Sequence, residues 1–398
     1  MVFSRFCAPL FLAFVGALIF STSVQAANSL VFWNSQQSSE VVASFVKDFS
    51  KKTGTPVDVN WIIHSDYRSS LLRHSFDGDL PDIALVPGDF LSMGAELKLS
   101  EIPVSAQDKS ILANAKAAGE YDGRSLGAPV IWGNHLMLYY NRDLVKTPAT
   151  SFAELEKQAI DLRAKGVKPL GMNFGEMYWL VPFLGAYGGW PLDKQGGITL
   201  NTKPMEMALE FYYGLVTKKL TEKPCRYDCT YERFVSGEFA YNMTGDWNYK
   251  DLKEKMGDKL GVSVLPAIDG RPMVPMFSSY VLIFPNNGLS GPKREVLLKF
   301  LKFMQSPEMQ RRWALEAKLF PVSERVFKEV TAKADDNMKA SLQQLRTAKA
   351  VPNERNMAFA WEGMAKGFSG RYNGRISSEE AAILMQAHAL RVAQRAGQ

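Results

Sequence analysis

The chain has 398 residues, 46% of them hydrophobic and 22% charged, with eight tryptophans spread along it. That is the composition of a folded protein of about two domains, and it excludes a disordered or fibrous chain. Formal net charge is +6, but Lys and Arg are dispersed among nearly as many acids, with no basic run or basic-aromatic stripe, so nucleic acid is not an expected partner.

Arg5 precedes an almost wholly apolar run over residues 8–20, and Val24 and Ala26 stand where a signal peptidase reads small residues. The run is too short for a comfortable membrane span, so residues 1–26 are expected to be a cleaved secretory signal and the product periplasmic. Cys7 lies before the apolar core and is not a lipidation cysteine. Cys225 and Cys229 remain, close together and beside Pro224. In an oxidising compartment such a pair suggests a small disulfide loop, with two free thiols as the alternative. A loop this short stabilises by less than roughly 3 kcal/mol, and is expected to be structural without a part in function. None of the four histidines lies near the pair, so neither a metal nor any other cofactor is expected.

In chain order, residues 30–33 read as a buried strand. A helix follows from Ser38 or Ser39, with Val41, Val42, Phe45, Val46 and Phe49 on one face and Gly54 as its stop. Residues 57–62 alternate as a strand, residues 64–67 read as a loop before another helix, and residues 81–86 form a third strand with an exit loop at 87–90. Strand, helix, strand, helix, strand implies parallel pairing, with ligands beyond the carboxyl ends of the strands. Next comes Tyr121-Asp122-Gly123-Arg124, then an apolar run broken by Trp132-Gly133-Asn134 and ending in Tyr139-Tyr140-Asn141. Gly permits unusual backbone angles and Asn brings an amide that needs partners when buried. Two readings fit: a bulged strand within one sheet, or a strand that bends at Gly133 and crosses into a second domain.

Ser151 and Glu154 have capping-box spacing and open a helix that ends before Gly166. Residues 168–172 form a strand, helices follow around 178–186 and 204–217, and a strand ends in the loop Gly245-Asp246-Trp247. A short strand at 261–265 and a Pro-rich connection lead to the apolar run 277–284, a second crossing candidate that tips the balance at Gly133 toward a crossing. Helices are expected at 293–304 and at 307–317, the latter with Ser306 as cap and Pro307 first, then around 330–350 and 357–368, and from Ser377 onward.

Several of these segments together resemble a known family. Gly78-Asp79-Leu80-Pro81-Asp82-Ile83, Tyr121-Asp122-Gly123-Arg124 with Gly127-Ala128-Pro129, Leu138-Tyr139-Tyr140-Asn141-Arg142-Asp143-Leu144, residues 234–240 with Gly245-Asp246-Trp247, and residues 300–310 with Phe320-Pro321-Val322 occur in the order and spacing of the extracellular solute-binding proteins of ABC importers, in their maltose-binding-like carbohydrate group. The resemblance covers nearly the whole mature chain. It implies the α/β periplasmic binding protein type II fold, with two α/β domains joined by hinge strands and the ligand clamped between them. One lobe would comprise residues 27–133 and 281–328, the other residues 134–280 and 329–398. The hinges would lie around Gly133 and residues 278–280, with a last crossing near residues 322–333.

A sugar offers hydroxyls in the ring plane and apolar C–H faces, so its site needs aromatic plates together with amides or carboxylates. From the first lobe the candidates are Trp33, Asn34, Ser35, Asp66, Tyr67 and Asp89; the family pattern places an acidic sugar binder at Asp89. Trp132, Asn134 and Ser278 belong to the crossings, and Asn134 stands where maltose binders carry a carboxylate. The second lobe offers Glu176, Tyr178, Trp179, Asp246, Trp247 and Trp361, with Trp247 and Trp361 at stacking positions of the family. Arg355 is either a fork for an acidic ligand or an ordinary surface residue. The expected function is capture of a sugar or small oligosaccharide by hinge closure and delivery to an ABC permease, by a monomer without catalysis. A phosphorylated polyol, polyamine or other charged solute is the alternative ligand. Presentation to a chemoreceptor or sensor kinase is the alternative role. A secreted glycosidase, with Asp89 opposite Glu176 or Asp246, is the enzyme alternative; the chain has no nucleophile elbow, zinc signature or phosphate loop.

Overall fold

Buried strands and amphipathic helices alternate from the start of the computed structural model, which describes residues 29–35 and 38–397; the expected signal segment lies outside them. β1 (Leu30–Asn34) is followed by the helix Ser39–Thr53, which buries Val41, Val42, Phe45, Val46 and Phe49 and stops at a left-handed Gly54 whose N–H bonds Ser50 O. β2 (Val57–Trp61) pairs parallel with β1. The next helix is His64–Asp77, so residues 64–67 are its first turn and not a loop. Its N-cap position is Ile63, which offers no side-chain oxygen, and for that reason the start carries no capping signature. β3 (Ile83–Pro87) pairs parallel with β1 on its other side, and a 3₁₀ turn over Gly88–Met93 replaces the expected exit loop.

A hairpin turning through left-handed Asp122 and Gly123 precedes β4 (Ala128–Gly133), and only two residues separate this from β5 (Leu136–Asn141). Later strands are β6 (Lys168–Met172), β7 (Phe239–Gly245), β8 (Leu260–Ser263), β9 (Met276–Ile283), β10 (Phe320–Pro321) and β11 (Lys349–Ala350). They make a seven-stranded sheet in the order β10-β4-β9-β3-β1-β2, with β11 also on β9, and a four-stranded sheet in the order β8-β5-β7-β6. β4 and β5 belong to different sheets, so the break at Gly133-Asn134 is a crossing and not a bulge.

β9 is different. Residues 280–283 pair antiparallel with β3 and 278–282 with β4, so the second apolar run is a central strand of the first sheet throughout, and the chain has already passed between lobes in the connection at 264–275. Burial on both faces makes a central strand continuously apolar, the same signature that suggested a crossing. Beyond β10 the helix Asp336–Thr347 lies on the second sheet: Asn337 Oδ1 accepts from Val262 N at 3.1 Å and Gln344 Oε1 from Leu265 N at 2.6 Å.

Each sheet has its own core. Phe32, Phe45, Phe49, Phe300 and Trp313 fill the first, while Phe174, Phe183, Tyr212, Phe368 and Met385 lie in the second. A smaller cluster of Trp132, Phe277, Phe320, Val322, Leu342 and Leu345 sits where the lobes join. Ser151, Ser306 and Ser377 cap their helices as expected, Ser377 in a full capping box with Glu380. Cys225 and Cys229 are bridged, with an S–S distance of 2.01 Å.

Candidate functional site

The crossing brings several sequence candidates together through direct bonds. Gly133 has φ +143° and Asn134 φ +51°, and this pair of unusual conformations turns the backbone from one sheet into the other. The Asn134 N–H donates to Asp246 Oδ2 at 3.0 Å, and its side-chain amide donates to Ser278 Oγ at 2.8 Å. Asp246 is 4% exposed, and the same Oδ2 lies 3.3 Å from Nδ1 of the fully buried His135. His135 Nε2 in turn meets the Ser341 carbonyl at 3.0 Å. A Cβ added at Gly133 would stand 2.1 Å from Asp246 Oδ2, so the carboxylate occupies the space that only glycine leaves.

Tyr178, on the helix Met177–Ala186, bolts this floor in place. Its hydroxyl donates to Asn134 O and lies 3.3 Å from Met276 O, so it meets the backbone of the crossing and of the first residue of β9. Burial pushes the phenol far above its usual range, and the charges of Asp246 and Asp89 add to this, so it stays a neutral donor. Tyr280 is raised by burial first and then, among other charges, by Asp246 and Asp89. The carboxylates of the two lobes thus act on the same pair of phenols at the floor.

Above the floor stands an aromatic wall. The ring of Tyr178 lies 6.4 Å from that of Trp247 and 6.3 Å from that of Trp361, and all three are half-buried. Trp179 is expected in this set but is 5% exposed, with its indole N–H spent on Met243 O at 2.6 Å. It backs the wall and edges onto Trp247 at 6.2 Å. Glu176, the N-cap residue of the same helix, is exposed, and desolvation by neighbouring protein pushes its carboxyl above the ordinary range.

The first lobe is more reserved. Trp33 is 6% exposed and edges onto His74 at 4.8 Å, and Tyr67 is fully buried with its hydroxyl on Trp33 O at 2.8 Å. Both are core residues, with little ring surface for a ligand. Trp132, 8% exposed, packs between Phe277 and Phe327 at the lobe junction. Asn34 is fully buried at the end of β1, Ser35 is half-buried and Asp66 is exposed on the first turn of its helix. Asp89 is partly open, but its carboxylate takes Arg68 Nη2 at 2.9 Å, and that guanidinium lies over Phe90 at 4.4 Å. Arg355 donates to Ala396 O at 3.1 Å.

Sequence reasoning passes over Arg68, His135, Tyr227 and Tyr280. Arg68 and Asp89 sit 21 residues apart with no local sign of their pairing. Tyr227 does carry a signal, because it lies inside the Cys225–Cys229 loop, and its hydroxyl accepts the Trp247 indole N–H at 2.7 Å. Among the described residues, no group of three or more His, Cys, Asp or Glu is placed to hold a metal ion, and no helix is long and apolar enough to cross a membrane.

Comparison with known proteins agrees with this architecture. Maltodextrin-binding protein MdxE of Bacillus subtilis strain 168 is 25% identical over 333 residues, covering 77% of this chain and 76% of the relative. A maltooligosaccharide ABC transporter solute-binding lipoprotein of Streptococcus pneumoniae serotype 4 is 21% identical over 367 residues, 87% of this chain and 85% of that protein. The solved maltose/maltodextrin-binding domain MalE from Bdellovibrio bacteriovorus, bound to maltotriose, superposes with a TM-score of 0.85 over 92% of this chain and 100% of that one, at 21% identity. The family model of bacterial extracellular solute-binding proteins matches residues 44–340. With that match spanning most of its length, and two α/β lobes in the arrangement of such binders, the chain is a member of the bacterial extracellular solute-binding protein family.

Proposed function

We propose that the protein binds a malto-oligosaccharide between its lobes and delivers it to an ABC permease in the inner membrane. The observation that carries this reading is the half-exposed wall of Tyr178, Trp247 and Trp361 rising from a floor that contains Asn134, Asp246 and Ser278. Flat aromatic faces suit the C–H faces of pyranose rings, and the rim carboxylates Asp66, Asp89 and Glu176 suit their hydroxyls. The names of the maltodextrin- and maltooligosaccharide-binding relatives support the same ligand class. One lobe comprises residues 29–133 and, since β9 belongs to its sheet, 276–328; the other comprises 134–275 and 329–397. They close by bending at Gly133-Asn134 and at the approach to β9. The protein acts in the periplasm as a monomer, after cleavage near Ala26, and performs no catalysis.

Calorimetric titration with maltose, maltotriose and maltotetraose, alongside glycerol phosphate and a polyamine, tests the reading. A ligand that binds only the folded form raises the melting temperature in proportion to RT ln(1 + [L]/Kd). Saturable binding and thermal stabilisation by maltotriose are expected. Stabilisation by the charged solutes alone would replace the sugar with a charged ligand.

A further inference from the structure

We propose that the Cys225–Cys229 bridge is a positioning device for the ligand site, holding the Trp247 indole through Tyr227. The proposal rests on the reading of Trp247 as a ligand plate.

The helix Tyr227–Val235 begins badly. Its N-cap residue, Arg226, makes no side-chain capping bond, so the first turn lacks the usual acceptor for its free N–H groups. Tyr227 is the first helical residue, the position most prone to fray. The bridge spans this turn, joining Cys225 just outside the helix to Cys229, the third residue within it. It provides no acceptor for those N–H groups, but it ties the entry of the helix covalently to its third residue and so restrains the turn.

Both ends of the bridge are anchored. Cys225 is 2% exposed in an apolar cluster with Met137, Tyr139, Phe234 and Phe239. Arg233 Nη1 lies 3.4 Å from the Cys225 sulfur and 3.8 Å from that of Cys229. That guanidinium is itself fixed, 4.6 Å over the Phe239 ring and paired with Glu222 at 2.8 Å and Glu238 at 2.6 Å.

From this anchor Tyr227 reaches the candidate site. Its hydroxyl accepts from Trp247 Nε1 at 2.7 Å and bonds Asn248 Oδ1 at 2.6 Å, while Thr244 Oγ1 donates to the same Oδ1 at 3.0 Å. The indole meanwhile lies against the bare backbone of Gly245, where an added Cβ would stand 2.0 Å from the ring. One contact closes a face and the other fixes the edge, and the edge contact depends on where the first helical turn holds Tyr227. A half-exposed indole with a free edge samples several rotamers, and ordering it on binding then costs affinity.

The test uses the whole mature protein, maltotriose as probe, and the Trp247 indole cross-peak of a ¹H–¹⁵N spectrum, assigned by its loss in Trp247→Phe. The double variant C225S/C229S and the single variant Tyr227→Phe are each expected to shift or broaden that cross-peak and to weaken maltotriose binding about tenfold, the scale of one lost polar contact. Tyr227→Phe keeps the bridge and the ring, so it reports on the hydrogen bond even if the double variant folds poorly. An unmoved cross-peak in Tyr227→Phe, or in a folded C225S/C229S chain, overturns the proposal. So does a moved cross-peak with wild-type affinity while Trp247→Ala binds weakly: the indole then matters and its tether does not. Wild-type affinity in Trp247→Ala is a separate result, which removes the plate itself and the proposal with it.

Discussion

The two lobes contribute to the cleft in opposite ways. The first lobe turns its large aromatics inward, Trp33 onto His74 and Tyr67 onto Trp33 O, and neutralises Asp89 with its own Arg68. The second lobe leaves Tyr178, Trp247 and Trp361 half-exposed and keeps the fully buried Phe174, Phe183 and Tyr212 behind them. An aromatic residue at the end of a strand is therefore not a binding residue on that account alone. The second lobe can afford an exposed wall because a separate layer of rings already fills its core.

Paired substitutions give the largest contrast. Trp33→Ala should cost about 3–5 kcal/mol of stability, as buried tryptophans do, with affinity nearly unchanged in the protein that remains folded. Trp247→Ala should do the reverse, weakening maltotriose by about 2 kcal/mol, roughly thirtyfold, with a small change in melting temperature. Denaturant melts and calorimetry on both variants measure this, and equal affinity losses would erase the distinction between the lobes. Gly133→Val should destabilise by about 3 kcal/mol, since the branched side chain meets the Asp246 carboxylate and adopts a backbone angle L-residues avoid. A hinge role for Gly133 would by itself predict impaired closure more than lost stability; the contact with Asp246 puts the damage in the fold, and a urea melt decides between them.

Asp89→Asn should have a smaller effect, a few-fold in Kd, because the carboxylate is already shared with Arg68. A loss as large as that of Trp247→Ala would show that the first lobe binds as strongly as the second. The smallest effect belongs to Glu176, whose carboxyl is raised by its surroundings. A raised folded-state value means that the native protein holds more protons than the unfolded chain just above the ordinary carboxylate range. Stability should therefore fall as pH rises through that window. Glu176→Gln should flatten this dependence, and parallel slopes of melting temperature against pH for the two proteins would refute it.

Local signals were readable and non-local ones were not. The helix Ser39–Thr53 announces itself by five apolar residues on one face and a terminal glycine, and the caps at Ser151, Ser306 and Ser377 by short-range pairs. The crossing at Gly133-Asn134 is legible because two residues unsuited to a continuous strand interrupt an apolar run. β9 misleads because a doubly buried central strand and a crossing strand share one composition. The helix at His64 begins without a cap, so its start is silent. At the site, residue types point to aromatic and acidic candidates, but which groups are already committed is a matter of contacts across the chain. The hydroxyl of Tyr178 on Asn134 O joins residues 44 apart, and Asn134 to Ser278 joins residues 144 apart.

The place of β9 has a consequence for biosynthesis. β3 and β4 flank it and are complete once the ribosome passes Gly133, but the strand that fits between them ends only at Ile283. Until then the nascent first lobe has a gap at the centre of its sheet, with two unpaired edges waiting on either side. The second sheet, built from residues 136–263, is synthesised entirely within that interval. The first sheet is thus begun first, yet its centre closes only after every strand of the second sheet has been made.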